Sequence, residues 1–238
     1  MGPHGAGRRR SCGTRQERTH LTGFRFLTFD CYGTLIDWKT GIELSLKRAF
    51  GGFPLQGKGL LDVYVLAEKE EEKSYKKYRE VLRNSALRLR PTHSAADLSA
   101  AEAFANSVPS WPAFPDTRRA LRALGKSGYA RYILSNVDTD LLEGTIRNNG
   151  LEVEGYVTAE EVGSYKPNPG HWLRFMRKTG TKKRDILHVA QSIYHDILPT
   201  QEMGIASAWV NRYREPLPAN AHPAYIVDSL ESLVKLLP

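Results

Sequence analysis

From Asp116 onward, short apolar runs and amphipathic helical stretches take regular turns, and this alternation constrains the fold more than any other property of the chain. Helical segments are expected at 116–128, from Asp138 or Thr139 to Gly150, from Asn168 with Pro169 in the first turn to Gly180, and from about Asp196 to Met203. Between them lie strand-like runs at 129–134, 154–158, 185–190, 205–210 and 224–227, and a terminal helix closes the chain. Strands joined through helices can pair in parallel, so the pattern predicts an α/β fold with a doubly wound parallel sheet.

One further strand precedes this series, the run Phe24 to Phe29, and it ends in Asp30-Cys31-Tyr32-Gly33-Thr34. A carboxylate at the C-terminal end of a parallel strand stands where such sheets bind their ligands. Gly33 permits a tight turn that would face backbone N–H groups toward whatever the carboxylate attacks. Residues 38–112, by contrast, carry helical periodicity and no convincing strand, which marks an α-helical cap inserted into the core. Within it, 61–89 reads as one long charged helix after a Gly-rich break. The run from Glu68 to Glu80 mixes charges at i, i+4 spacing, the pattern of a solvated helix surface. Ser94 or Asp97 opens the next helix. The expected domains are thus residues 1–22 as a disordered basic tail, 23–37 with 113–238 as the core, and 38–112 as the cap.

The formal charge of +8 would suggest nucleic acid if it were spread over a folded surface. Half of it lies in residues 1–22, where Arg8, Arg9, Arg10, Arg15 and Arg18 face Glu17 alone, and no stacking aromatics accompany them. Neither a nucleic-acid partner nor a membrane partner is expected, since no run of 18 apolar residues exists. With one cysteine in the tail and the other, Cys31, at the strand end, a structural disulfide is not expected and a reducing, cytoplasmic location is. Cys31 has no Cys/His arrangement to make it a nucleophile and reads as a small residue pointing away from the site.

The predicted sheet brings four polar clusters to one edge: Asp30 with Thr34, Ser135-Asn136, Lys166, and Gln191-Ser192 with Asp196. Singly, these are ordinary turn formers, a surface lysine and a helix-start acid. Jointly they suit nucleophilic substitution by a carboxylate. Asp30 would attack an electrophilic carbon or phosphorus, Lys166 would keep it ionised, and Thr34, Ser135 and Asn136 would donate hydrogen bonds.

In order and spacing these clusters resemble the four motifs of the haloacid dehalogenase superfamily: Asp30 to Thr34, Ser135-Asn136, Lys166-Pro-Asn-Pro169, and Val189 to Asp196. The resemblance implies a Rossmann-like core with the helical cap closing over the site. Phosphatases of that superfamily carry a second aspartate two residues after the first, where this chain has Tyr32, and further acid at the fourth motif, where it has Ala190-Gln191-Ser192. Magnesium wants anionic oxygens, so Asp30 and Asp196 with neutral Gln191 make a weak site, and no cofactor is expected. Tyr32 resembles the L-2-haloacid dehalogenase branch. That branch implies displacement of the C2 substituent of a small carboxylic acid, a covalent ester, and its hydrolysis by water activated near Lys166, Ser192 or Asp196. Asn136 would cradle the leaving group. Tyr32, Trp172, Tyr194 and His195 would contact substrate. The Trp-Arg pair that clamps the substrate carboxylate in that branch has no arginine counterpart between Val63 and Tyr75. Longer phrases, including Trp111-Pro-Ala-Phe-Pro-Asp116 and Val162-Gly-Ser-Tyr-Lys-Pro167, resemble a subgroup that includes L-azetidine-2-carboxylate hydrolase, in which a ring nitrogen leaves. Phosphatase activity and a non-catalytic ligand-binding role are the other readings, and a homodimer stays open as the assembly.

Overall fold

The computed structural model describes residues 23–51, 59–90 and 93–237. The basic tail at 1–22 and most of the Gly-rich break therefore lie outside the described residues.

Six strands, β1 (Phe26–Phe29), β2 (Ala130–Ser135), β3 (Gly155–Thr158), β4 (Ile186–Ala190), β5 (Ala206–Val210) and β6 (Tyr225–Val227), form one sheet in the order β3-β2-β1-β4-β5-β6. Every pairing is parallel, as the alternation predicts. The β1 segment is covered on both faces: Leu27 and Phe29 on one and Thr28 on the other are fully buried, as is all of β4. Burying a side chain of that size contributes about 1.5–3 kcal/mol, which fixes these two central strands as the rigid base of the molecule. Phe29 pairs with both Ile133 and Val189, so β1, β2 and β4 end side by side. The chain leaves β1 toward β2 and β3 on one side, then returns through β4 to β5 and β6 on the other. Asp30 thus follows β1 at the point where strand order reverses, the crevice in which open α/β sheets receive ligands.

Between β1 and β2 the chain forms α1 (Trp38–Phe50), α2 (Leu60–Glu71), α3 (Tyr78–Arg88) and α4 (Ala95–Ala105). The expected single helix over 61–89 is two helices. Glu71 at the end of α2 is buried and takes Lys76 at 2.7 Å, Arg88 at 2.6 Å and Asn84 at 3.0 Å. These partners come from the turn after α2 and from α3, so the chain must double back to reach them. Ser94 caps α4 in a reciprocal box with Asp97.

The remaining helices, α5 (Thr117–Lys126), α6 (Thr139–Asn149), α7 (Ala159–Val162), α8 (Gly170–Thr179), α9 (Leu198–Met203) and α10 (Leu230–Leu236), pack around the sheet. None among the described residues is long and apolar enough to cross a membrane. Two acids expected at helix starts work across the fold instead. Asp138 precedes α6 but accepts from Tyr78 and Arg79 backbone N–H, both at 2.9 Å, and so caps α3 from the core. Asp116 precedes α5 but holds Arg212 and the Leu230 backbone N–H. The α8 helix begins one turn position later than predicted, with Pro169 at the N-cap and Asn168 accepting from Gly170 N–H.

Candidate active site

Asp30 emerges from β1 with its carboxylate held from both sides. Thr34 Oγ1 donates to Oδ2 at 2.8 Å and Lys166 Nζ donates to Oδ1 at 2.8 Å. The Thr34 hydroxyl also accepts from the Gln191 backbone N–H at 2.9 Å, which ties the loop after β1 to the loop after β4. Gly33 makes the turn with φ +103°, and a Cβ there would press on Trp38 and Gln191. The N–H groups of Gly33, Thr34, Leu35 and Ile36 bond within residues 31–36 and close the turn on itself. Cys31 is buried away from solvent, and burial, reinforced by the Asp30 charge, keeps its thiol well above the usual range.

Lys166 is the centre of the arrangement. Its ammonium spends all three protons, on Asp30, on Asp196 Oδ1 at 2.6 Å and on the Leu134 carbonyl at 3.0 Å. Burial alone would lower its pKa, but the two carboxylates outweigh it and raise it to about 12, so the residue stays cationic. Burial pushes the Asp30 carboxyl upward, opposed by Lys166 and Thr34. Asp196, although fully buried, is driven well below the carboxylate range by Lys166 and by the hydrogen bond to His188.

The loop that carries Lys166 is positioned by Asn136. The Asn136 amide donates to the Lys166 carbonyl at 3.1 Å and its oxygen accepts from the Lys166 N–H at 2.7 Å. Both ends of the amide therefore hold the Lys166 backbone, while the side chain lines the cavity beside Asp30. Ser135 is buried in the cavity wall, and its hydroxyl has no hydrogen-bond partner. Asp196 Oδ2 is likewise buried without a partner. Buried polar atoms left unbonded cost about 1–3 kcal/mol each, so these two are the groups in the site with bonding capacity to spare.

Asp30, Tyr32, Ser135, Asn136, Lys166, Ser192, His195 and Asp196 all face one cavity of about 250 Å³, together with Trp38, Trp111, Glu68, Glu72 and Tyr78 from the helices and their flanks. Tyr32 stands edge-on to Trp111 and shares a hydrogen bond with Thr145 at 2.9 Å; burial keeps its phenol protonated. Ser192 Oγ accepts from His195 N–H at 3.1 Å, and burial lowers the His195 pKa so that its ring is neutral at pH 7. Gln191 donates to Glu215 at 3.3 Å and supplies no anionic oxygen. Among the carboxylates expected to receive magnesium only Asp30 and Asp196 remain, with the Lys166 ammonium bonded to both.

Two predicted substrate contacts are placed elsewhere. Trp172 is fully buried in the core with Leu134, Val157 and Phe175, because α8 turns that face onto the sheet. Tyr194 is exposed and lines an outer cleft of about 700 Å³ that shares Glu72, Lys166 and His195 with the cavity.

Sequence reading missed four residues of the site. His188, in the middle of β4, bonds Thr28 Oγ1 at 2.9 Å with Nδ1 and Asp196 Oδ1 at 3.0 Å with Nε2. A histidine inside an apolar strand run needs a buried partner, and that was the available signal. Arg212 clasps the Thr34 carbonyl at 2.9 Å while paired with Asp116 at 3.0 Å. Glu68 and Glu72 overturn the reading of the charged run as a solvated face: both are half-buried in the cavity wall.

The model of the haloacid dehalogenase-like hydrolase family matches residues 24–204. Haloacetate dehalogenase H-2 of Moraxella sp. (strain B) is 26% identical over 227 residues, 89% of this chain and 96% of that protein. A dehalogenase solved with an intermediate complex superposes with a TM-score of 0.78 at 20% identity, over 90% of this chain and 97% of that one. The L-2-haloacid dehalogenase of Xanthobacter autotrophicus with chloropropionic acid covalently bound superposes with a TM-score of 0.74 at 21% identity, over 90% and 98%.

Proposed function

We propose, from the premise that the chain belongs to the haloacid dehalogenase-like hydrolase family, that Asp30 displaces the C2 substituent of a small 2-substituted carboxylic acid. The observation that carries the proposal is the bonding of Asp30. Its two oxygens are aimed by Thr34 and Lys166, and the position two residues after it, where an acid would protonate a leaving alcohol, carries no carboxylate. Tyr32 fills that place, and its phenol is too weak an acid for phosphate-ester chemistry of that kind. The covalent dehalogenase complex in the same fold supports the reading.

In this mechanism an Asp30 oxygen attacks C2 with inversion, the C2–halide bond breaks, and an ester forms. The Lys166 ammonium balances charge at Asp30 throughout. The partnerless Ser135 hydroxyl donates to the substrate carboxylate. Water then adds to the Asp30 ester carbonyl, with the partnerless Asp196 Oδ2 accepting its proton, and as the acyl C–O bond breaks Asp196 returns that proton to the departing alkoxide, which releases the 2-hydroxy acid and leaves the Asp30 carboxyl to ionise again. His188 and Asn136 act through others, by orienting Asp196 and Lys166. The helical segment 38–112 serves as the cap that supplies the outer cavity wall.

A single turnover in ¹⁸O-water tests this. The product hydroxyl oxygen should be unlabelled and Asp30 should carry the label, whereas label in the first-turnover product would overturn the scheme. Asp30→Asn should release no halide while its circular dichroism stays that of the native protein. A second reading, opening of a strained ring amine, keeps the same nucleophile; ammonium-bearing product without halide would select it. Loss of activity in EDTA with recovery in magnesium would instead select a phosphatase.

A further inference from the structure

The cavity wall opposite the nucleophile is acidic. Glu68 and Glu72 lie four residues apart on one stripe at the end of α2, both facing the cavity that holds Asp30. Among the described residues neither has a lysine or arginine within ion-pair distance, although Lys69, Lys73, Lys76 and Lys77 stand nearby in sequence. The Tyr64 and Tyr78 hydroxyls both donate to Glu68 Oε1, at 3.2 and 2.7 Å, which orients the carboxylate and leaves Oε2 without a protein partner. Trp38 and Trp111 give the same cavity aromatic walls. The only ammonium in the cavity, Lys166, is committed to Asp30 and Asp196. The buried, partnerless Ser135 hydroxyl in the same cavity independently points to a polar ligand there.

An oriented carboxylate with a second one a helical turn away, beside aromatic faces in a small cavity whose one ammonium is committed, complements a positively charged nitrogen. A simple haloalkanoate would bring another negative charge to this wall, and no arginine is present to receive it. We propose that the natural substrate carries an ammonium group, held by Glu68 and Glu72, in addition to the carbon that Asp30 attacks; this rests on the reading of Asp30 as nucleophile. Burial, together with their mutual repulsion at Glu72, raises both acids, Glu72 to about 8. A bound cation favours their ionised forms, so its binding should expel protons. The charged or titratable groups around this pair are Tyr64 and Tyr78 bonded to Glu68, Asp30, Tyr32, Lys166, His195 and Asp196 lining the same cavity, and Lys69, Lys73, Tyr75 and Tyr165 lining the outer cleft beside Glu72.

The test compares halide release from 2-chloro-5,5-dimethylhexanoate and from 2-chloro-4-(trimethylammonio)butanoate, which share one shape and differ in the cationic charge. The wild type should show at least a tenfold higher kcat/KM for the cationic substrate, and Glu68→Gln and Glu72→Gln should each bring that ratio below about threefold. A wild-type ratio near one, or a ratio unmoved by both variants, overturns the proposal. Calorimetry of propylammonium binding to the Asp30→Asn protein separates the two levels of inference. Binding with a heat that depends on buffer ionisation, lost in Asp30→Asn/Glu68→Gln, sustains the cation site even if neither substrate releases halide, in which case only the nucleophile assignment falls. Absence of propylammonium binding refutes the cation site.

Discussion

Replacing Lys166 by methionine keeps the volume of the side chain and removes the charge on which two buried carboxylates depend. Asp30 and Asp196 are 2.8 and 2.6 Å from Nζ, with side-chain exposures of 11% and 0%, and neither has another cation within ion-pair reach except His188 if protonated. Breaking a buried ion pair from one side costs about 3–5 kcal/mol, because the remaining charge is stranded without water. For a chain of this size that corresponds to a fall in Tm of about 6–20 °C. Adding Asp196→Asn to Lys166→Met removes one of the two stranded charges and should restore at least about 2 kcal/mol relative to the sum of the single variants. The deficit of Lys166→Met should also narrow toward pH 4. A carboxyl whose folded pKa is raised binds its proton more tightly in the folded state, so it favours folding at low pH and loses that advantage as pH rises through the folded value. Urea denaturation followed by circular dichroism at pH 4 and 7 measures all three quantities. A cost under about 1 kcal/mol for Lys166→Met, or additivity within about 0.5 kcal/mol, would refute the claim that one ammonium holds both carboxylates. Halide release should fall by about 10²–10³ or more in either lysine variant, since the double variant restores the fold and not the nucleophile's charge balance.

Two further expectations concern the helices that wall the cavity. Against the burial that would raise it, Glu71 is held at about 2 by Lys76, Asn84 and Arg88, so its stabilisation is present above the ordinary carboxylate pKa and is lost as pH falls toward 2. The stability difference between wild type and Glu71→Gln should be flat above pH 5 and shrink by about 3 kcal/mol by pH 2, as read by urea titrations; a pH-independent difference would show that the ion pairs do not hold the charge. Asp138→Ala should cost about 1–2 kcal/mol and accelerate amide exchange selectively at the start of α3, because it removes two charge-assisted bonds to Tyr78 and Arg79 N–H. Equal acceleration across β1 and β4 would count against a local clasp.

What could be read from the chain divides along a physical line. The sheet was legible because a buried parallel strand is apolar along nearly its whole length, as 186–190 is but for His188, and because a parallel crossover needs a helix. Asp30, Ser135, Lys166 and Asp196 were legible for a related reason: polar residues that directly follow such strands land on one edge whatever the loops between them do. His188 was not, since its partners Thr28 and Asp196 lie 160 and 8 residues away and nothing local announces them. Trp172 was misplaced because a residue following the lysine loop can turn to the cavity or to the sheet, and the rotation of α8 decides which.

The charged run shows how the same limit bears on function. Charge mixing at i, i+4 averages over the whole helix circumference, whereas burial acts on one stripe, and here Tyr64, Glu68 and Glu72 share a stripe with the apolar residues of α2. The acids on that stripe take their hydroxyl donors from Tyr64 on the same helix and from Tyr78, which is delivered only because α2 and α3 double back around Glu71. The turn that sequence reading missed is therefore what carries Glu68 and Glu72 to face Asp30. A chain that kept 61–89 as one straight helix would leave the nucleophile, the lysine and the serine in place and lose the wall that distinguishes one small acid from another. Catalytic chemistry in this fold is set at the strand ends. Selectivity depends on how the inserted helices break and which face they present.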